Sequence, residues 1–235
     1  MVLFCNNHHG RTKVYQTGFT LVELMIAVAI SGIVVAAIYS AYLTQQRTYL
    51  AQEQVAEMQQ SIRAALDIMV REIRSAGYDP LKSAGAGIST ASAGQLSFTR
   101  DNNGDGDTTD PSEMIDYGFS ADANFDAGRD GVPDNGGVLS LGRQIGGAGG
   151  YQPIADSIER IEFRYLDSAG TVTGTLANIR AIQISILARA GLGDQNFTNN
   201  MTYTSSSGAN WGPFNDNFRR RLLITTVQCR NMGLL

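Results

Sequence analysis

Oxygen-bearing side chains crowd one short stretch of this chain. Residues 101 to 113 read DNNGDGDTTDPSE, so Asp101, Asn103, Asp105 and Asp107 fall at alternate positions and Gly106 stands where a tight turn is needed. Carboxylate and amide oxygens gathered around a turn suit a hard divalent cation, and Ca2+ fits such a set better than Zn2+. A different carboxylate, Glu23, sits alone just inside a long apolar run. An acid there is costly unless it is paired, which makes it a candidate functional group. The histidines are His8 and His9 only, the cysteines Cys5 and Cys229 only, and no GxSxG, phosphate-binding loop or HExxH string occurs. Nucleophilic triads and His-based metal sites are therefore unsupported, and the chain does not read as an enzyme.

The acidic stretch resembles the first half of an EF-hand loop but departs from it at the close. The twelfth position, where a bidentate Glu is needed, is Ser112, and Glu113 comes one residue late. Asp110 or Glu113 would then close the site in a non-helical variant. A second patch, Asp126 to Asp134 with Asp130 between, has similar spacing but a Gly where another acid would help. From 101 to 134 there are ten acids and one base, Arg129. Solvated turns explain the same composition without a metal, because Asp, Asn and Gly favour turns. A bound Ca2+ would order the loop and stabilise the folded head by linkage rather than catalyse a reaction.

The elements that must position these groups begin with a helix. Leu24 to Gln46 carries no charged side chain, and Leu24 to Leu43 is a 20-residue apolar run interrupted by Ser31, Gly32 and Ser40. At about 1.5 Å per residue it spans roughly 30 Å, the thickness of a bilayer core, which predicts a transmembrane helix. Beyond it, Val55, Ile62, Leu66, Met69 and Ile73 recur at spacings of 7, 4, 3 and 4, one face of a continuing helix. That helix is expected to run to about residue 76, with Gly77 and Pro80 ending it. Segments 95–100, 114–119, 138–141, 158–166, 179–188 and 222–228 alternate or are β-branched and are separated by Gly, Asn, Asp and Ser. The predicted fold class is α+β: a long N-terminal helix, half transmembrane and half amphipathic, packed on a mainly antiparallel β-sheet head. Residues 191 to 217 read as a long surface loop with Trp211 as a packing anchor.

Composition sets the outer limits. The 235 residues suit one membrane-anchored domain or one soluble domain with an appendage. With 22 acids against 18 bases the net charge is −4, which gives no electrostatic case for a nucleic-acid partner. The dense basic cluster Arg219-Arg220-Arg221 is expected to be a solvated strand entry rather than a phosphate contact.

The string GFTLVELMIAVAISGIV, starting at Gly18, resembles the class III signal of type IV prepilins. The resemblance implies cleavage after Gly18, methylation of the new N-terminus at Phe19, and Glu23 as the fifth-position acid of the mature chain. Cleavage would create an amine at the positive, hydrogen-bond-deficient end of a helix in or near lipid. Glu23 could answer that charge on a neighbouring subunit during filament assembly or, more simply, within its own chain. Arg11 and Lys13 would hold the leader in the cytoplasm. The loss of the leader would remove Cys5, His8 and His9, leaving Cys229 without a disulfide partner.

With REIRSAGYDP at Arg71 to Pro80, IERIEFRY at Ile158 to Tyr165 and IRAIQISI at Ile179 to Ile186, the chain also resembles the PilW-like minor pilins, which are related to the J-type pseudopilins of type II secretion. Residues 24 to 46 lack the mid-helix Pro usual in major pilins. The implied organisation is a leader at 1–18, a transmembrane helix at 19–46, its amphipathic continuation at 47–80 and a β-rich head at 81–235 with the acidic loop 101–134. The implied partners are a prepilin peptidase, other minor and major pilins, an inner-membrane assembly platform and membrane lipid. The implied location is the bacterial inner membrane, head periplasmic, and then a pilus or pilus-like filament. The implied role is initiation of type IV pilus assembly. The alternatives are a secretion pseudopilin and a membrane-anchored ligand-binding or adhesion module.

Overall fold

A computed structural model describes residues 18–119, 126–147 and 149–233. The leader positions Cys5, His8, His9, Arg11 and Lys13 lie outside the described residues. The chain divides into two units, Met1–Tyr49 and Leu50–Leu235.

The described part of the first unit is almost wholly the start of helix α1, Leu21–Ile73. Its large apolar side chains from Leu21 to Tyr49, apart from the half-buried Leu43, are exposed, including Val22, Met25, Ile33 and Ile38. This is the one helix among the described residues long and apolar enough to cross a membrane. Two of its hydroxyls bond back to the helix itself. The Ser31 hydroxyl donates to Ala27 O at 2.7 Å and the Thr44 hydroxyl to Ser40 O at 3.0 Å, so neither presents an unpaired donor to lipid.

In the second unit, the end of α1 buries Met58, Ile62, Ala65, Leu66, Met69 and Ile73. These positions recur every three or four residues and so share one face. They pack with the inner face of a seven-stranded sheet in one core. Each Ile, Leu or Met fully withdrawn from water contributes roughly 1.5–3 kcal/mol. The strands are β1 Ile88–Ala91, β2 Leu96–Thr99, β3 Met114–Phe119, β4 Leu139–Ile145, β5 Gln152–Leu166, β6 Ala181–Arg189 and β9 Arg220–Gln228, with a small hairpin of β7 Tyr203–Thr204 and β8 Asn210–Trp211. The sheet order is β1-β2-β3-β4-β5-β6-β9, and every neighbouring pair is antiparallel.

Side-chain alternation sets the inner face. Ile161, Phe163 and Tyr165 of β5 oppose Ile186, Ile184 and Ile182 of β6, and Ile182 in turn opposes Val227 of β9. Strand β5 is long because its two halves serve different neighbours. Its N-terminal half pairs with β4, and a register shift after Ile158, next to Ser157 at φ 60°, turns the rest toward β6. The edge so exposed is filled from elsewhere: Ile161 N donates to Gly131 O and Phe163 N to Ala93 O. Gly131 has φ +80° and lies so close that a Cβ there would sit 1.9 Å from Ile161 O, so only glycine fits.

The segment from 191 to 217, expected as a long surface loop, is largely exposed but carries the short β7–β8 hairpin and is bonded to the outer face of β5 and β6. Ser206 N donates to Ser185 Oγ at 3.0 Å, and Arg164 Nη1 donates to Ser206 O at 2.6 Å. The carboxylate of Glu162 accepts the hydroxyls of Ser205, Ser206 and Ser207. A buried polar outer face demands such partners, and the serine run supplies them.

Candidate functional site

The helix start is built around Thr20 and Glu23. Thr20 is the residue before the first turn, and its hydroxyl accepts the Glu23 N–H at 3.3 Å. Glu23 answers through Oε2, which accepts both the Thr20 N–H and the Thr20 hydroxyl at 2.9 Å. This is a reciprocal capping box, which satisfies donors that a helix start leaves open and sets a negative group against its positive end. Among the described residues, every hydrogen bond to the Glu23 carboxylate falls on Oε2. The T-x-x-E spacing signals such a cap, and Thr20 is the residue that the reading of the motif passed over. Phe19 is 90% exposed, and a Cβ placed on Gly18 meets nothing within 4 Å. Among the described residues, nothing supplies a packing reason for glycine at 18.

The acidic residues of 101–113 lie between β2 and β3. Asp101 is buried, and its two oxygens accept the N–H groups of Gly104 at 2.5 Å and Gly106 at 3.1 Å. Gly106 turns the loop at φ +90°. The Asn103 amide donates to Asp105 Oδ2 and Asp110 Oδ2, both at 2.8 Å. Asp107 instead caps Thr109, accepting its N–H and its hydroxyl at 2.8 Å, which holds the Asp107 carboxyl below its ordinary value. Desolvation and then the charges of Glu113, Asp105 and Asp107 push the Asp110 carboxyl up. Glu113 is fully buried and accepts Asn102 N–H on Oε1 at 2.8 Å. Among the described residues, no three acidic, His or Cys side chains are gathered closely enough to hold an ion as they stand. In the second patch, Asp126 accepts Asp130 N and Gly131 N, and Asp134 accepts Ala127 N. These acids are organised as loop braces.

Two charged groups hold the head together. Glu72, near the end of α1, accepts Arg143 Nε at 2.8 Å, pairs with Arg143 Nη2 at 2.5 Å and also accepts the Tyr117 hydroxyl. Arg220 does not form the solvated strand entry expected of the three-arginine run. Its side chain is fully buried and bonded to Glu159 and Asp216, while Arg219 pairs with Asp194 at 2.7 Å. Two of the three arginines thus have carboxylate partners within the head, Arg220 buried and Arg219 partly exposed, which weakens any reading of the run as a phosphate contact.

Comparison with known proteins bears on both ends of the chain. The prokaryotic N-terminal methylation motif matches residues 13–39, and the family described as Type IV Pilus-assembly protein W matches residues 134–231. The chain is a PilW-like type IV prepilin. Its methylation motif contains the Thr20–Glu23 cap, and its PilW region runs from just before β4 through β9, including Glu159 and Arg220. A type IV-like pilin from Thermus thermophilus is similar in structure, with TM-score 0.42 and 18% identity over 74% of this chain and 97% of that one. No curated protein matches. The acidic loop 101–113 of this prepilin falls between the two matched regions.

Proposed function

We propose that this prepilin is a minor pilin subunit that is cleaved after Gly18 by a prepilin peptidase and takes part in initiating assembly of a type IV pilus. The observation that carries the proposal is the capped Glu23 carboxylate at the start of an exposed, membrane-length helix, directly after the Gly18–Phe19 bond. Before processing, Oε2 is held by Thr20, and the second oxygen remains to receive charge. Cleavage would place an amine on Phe19 within the same turn region. In a lipid setting that amine and Glu23 each need an opposite charge, and packing of neighbouring helices can supply it. Among the described residues nothing approaches a Cβ placed on Gly18, which supports a glycine chosen for recognition by an outside protease rather than for folding. Its filament partners would be other minor and major pilins, and its route would pass through the inner-membrane assembly platform and end at the cell surface.

The test uses a strain lacking this gene, complemented with the wild-type chain, Glu23→Ala or Gly18→Leu, and scored for surface pili and for protein secretion. The wild-type chain should restore pili. Glu23→Ala should be inserted and cleaved but missing from sheared filaments, and Gly18→Leu should stay uncleaved in the membrane. Filament incorporation of Glu23→Ala at the wild-type level would remove the pairing mechanism. A gene deletion that abolishes secretion and leaves pili intact would make the chain a pseudopilin instead.

A further inference from the structure

Glu113 stands immediately before β3 with no exposed surface. One carboxylate oxygen accepts the Asn102 N–H, which fixes the group against the acidic loop, and the other, Oε2, is buried with no hydrogen-bond partner. Leaving a buried acceptor unmatched costs on the order of 1–3 kcal/mol, and more for a charged group. Arg100 does not relieve it: its two terminal nitrogens donate to Ser75 Oγ at 3.0 Å and Ser112 O at 3.3 Å, and its Nε is likewise buried with no hydrogen-bond partner. Asp110 lies close enough to Glu113 and Asp105 to feel both charges, and Asp105 and Asp110 each place an oxygen 2.8 Å from the same Asn103 amide nitrogen. One small donor thus draws two carboxylates together at the point where a cation would serve both. Rotation of Asn103 would exchange its donor for its carbonyl oxygen.

We propose that the loop Asp101–Glu113 is a Ca2+ site in which Glu113 closes a set of oxygen ligands supplied by Asp101, Asn103, Asp105 and Asp110. The ion takes the place of the Asn103 amide and gathers carboxylates that are only partly convergent without it. An all-oxygen set on a flexible loop suits Ca2+ better than Mg2+, which demands tighter octahedral geometry. The site lies outside both regions matched by the families, so it is a property of this chain's own loop. It is independent of the filament role.

The experiment is calorimetric titration of CaCl2 into the full chain in detergent, freed of metal with chelator, together with melting in Ca2+, Mg2+ and EDTA. One Ca2+ per chain and a melting point several degrees higher in Ca2+ than in Mg2+ or EDTA are expected. Glu113→Gln should weaken binding at least tenfold. Asp105→Asn changes an exposed group and so tests the site without threatening the core, and it should weaken binding similarly while leaving the circular dichroism spectrum unchanged. No heat and equal melting points in Ca2+ and EDTA would overturn the proposal, as would wild-type affinity in Asp105→Asn.

Discussion

Arg220 presents Nε and Nη2 to the two carboxylate oxygens of Glu159 at 2.5 and 2.9 Å, and the arginine side chain has no exposed surface. Asp216 takes Nη1 and Nη2 from its other side at 2.6 Å, and the Phe214 ring lies 3.8 Å from the guanidinium carbon. One residue at the start of β9 thus ties the 191–217 segment to β5. A planar five-donor group can do this because it binds two carboxylates at once, and lysine cannot.

Removal of this arginine should be among the most damaging substitutions in the head. Arg220→Ala leaves Glu159 buried without its partner, and loss of about 3–5 kcal/mol is expected for a broken buried pair. Urea unfolding of the full chain in detergent would measure it. Arg220→Lys should recover only part of the loss, because the bidentate contacts are not restored.

Acid should loosen the same segment. The Arg220 guanidinium holds the Asp216 carboxyl below its ordinary value of 3.8, and Arg219 does the same for Asp194. A depressed folded-state value stabilises the fold above the unfolded value, and that contribution fades as pH falls through the lower folded value. Asp110 has the opposite sign, since its raised value means protonation relieves the loop. The difference between wild type and Asp216→Asn isolates the first effect: their melting points should converge as pH drops below about 4.

Cys229 should be chemically silent in the native protein. Burial pushes its thiol up to about 12, so almost no thiolate exists at pH 8. Iodoacetamide should leave Cys229 of the native protein unlabelled and modify it promptly in denaturant, as read by peptide mass so that Cys5 is counted separately. Rapid labelling of the native state would show that β9 opens.

Glu72 should prove to be the polar link between helix and sheet. Glu72→Ala strands the Arg143 guanidinium and the buried Tyr117 hydroxyl. The ion pair is about one-fifth exposed, so a cost of about 2 kcal/mol is expected, less than for Arg220. Glu72→Gln should restore some of it, because its amide oxygen still accepts a hydrogen bond.

The long helix, its buried stripe and most strands could be read directly, because periodicity is local information. Ile62, Leu66, Met69 and Ile73 announce a buried face by spacing alone, and all four are buried. Short β1 escaped notice because four residues between Gly87 and Ser92 carry little pattern. Strand β5 starts six residues before the alternating run, since Pro153 and the break at Ser157 hide the pairing with β4. The role of Arg220 was illegible for a different reason. Its partner Glu159 is 61 positions away, and a run of three arginines looks solvated until the fold brings a carboxylate to it. Similarly, the exposed polar spacing of the acidic loop was visible, whereas the burial of Glu113 was not.

The most direct test of the central claim is the intact mass of this protein recovered from membrane and sheared-filament fractions of its native host. A species beginning at Phe19 and carrying one added methyl group is predicted in both fractions. A chain that still begins at Met1 in filaments, or is confined to the membrane uncleaved while the host's prepilin peptidase is active, would contradict the account.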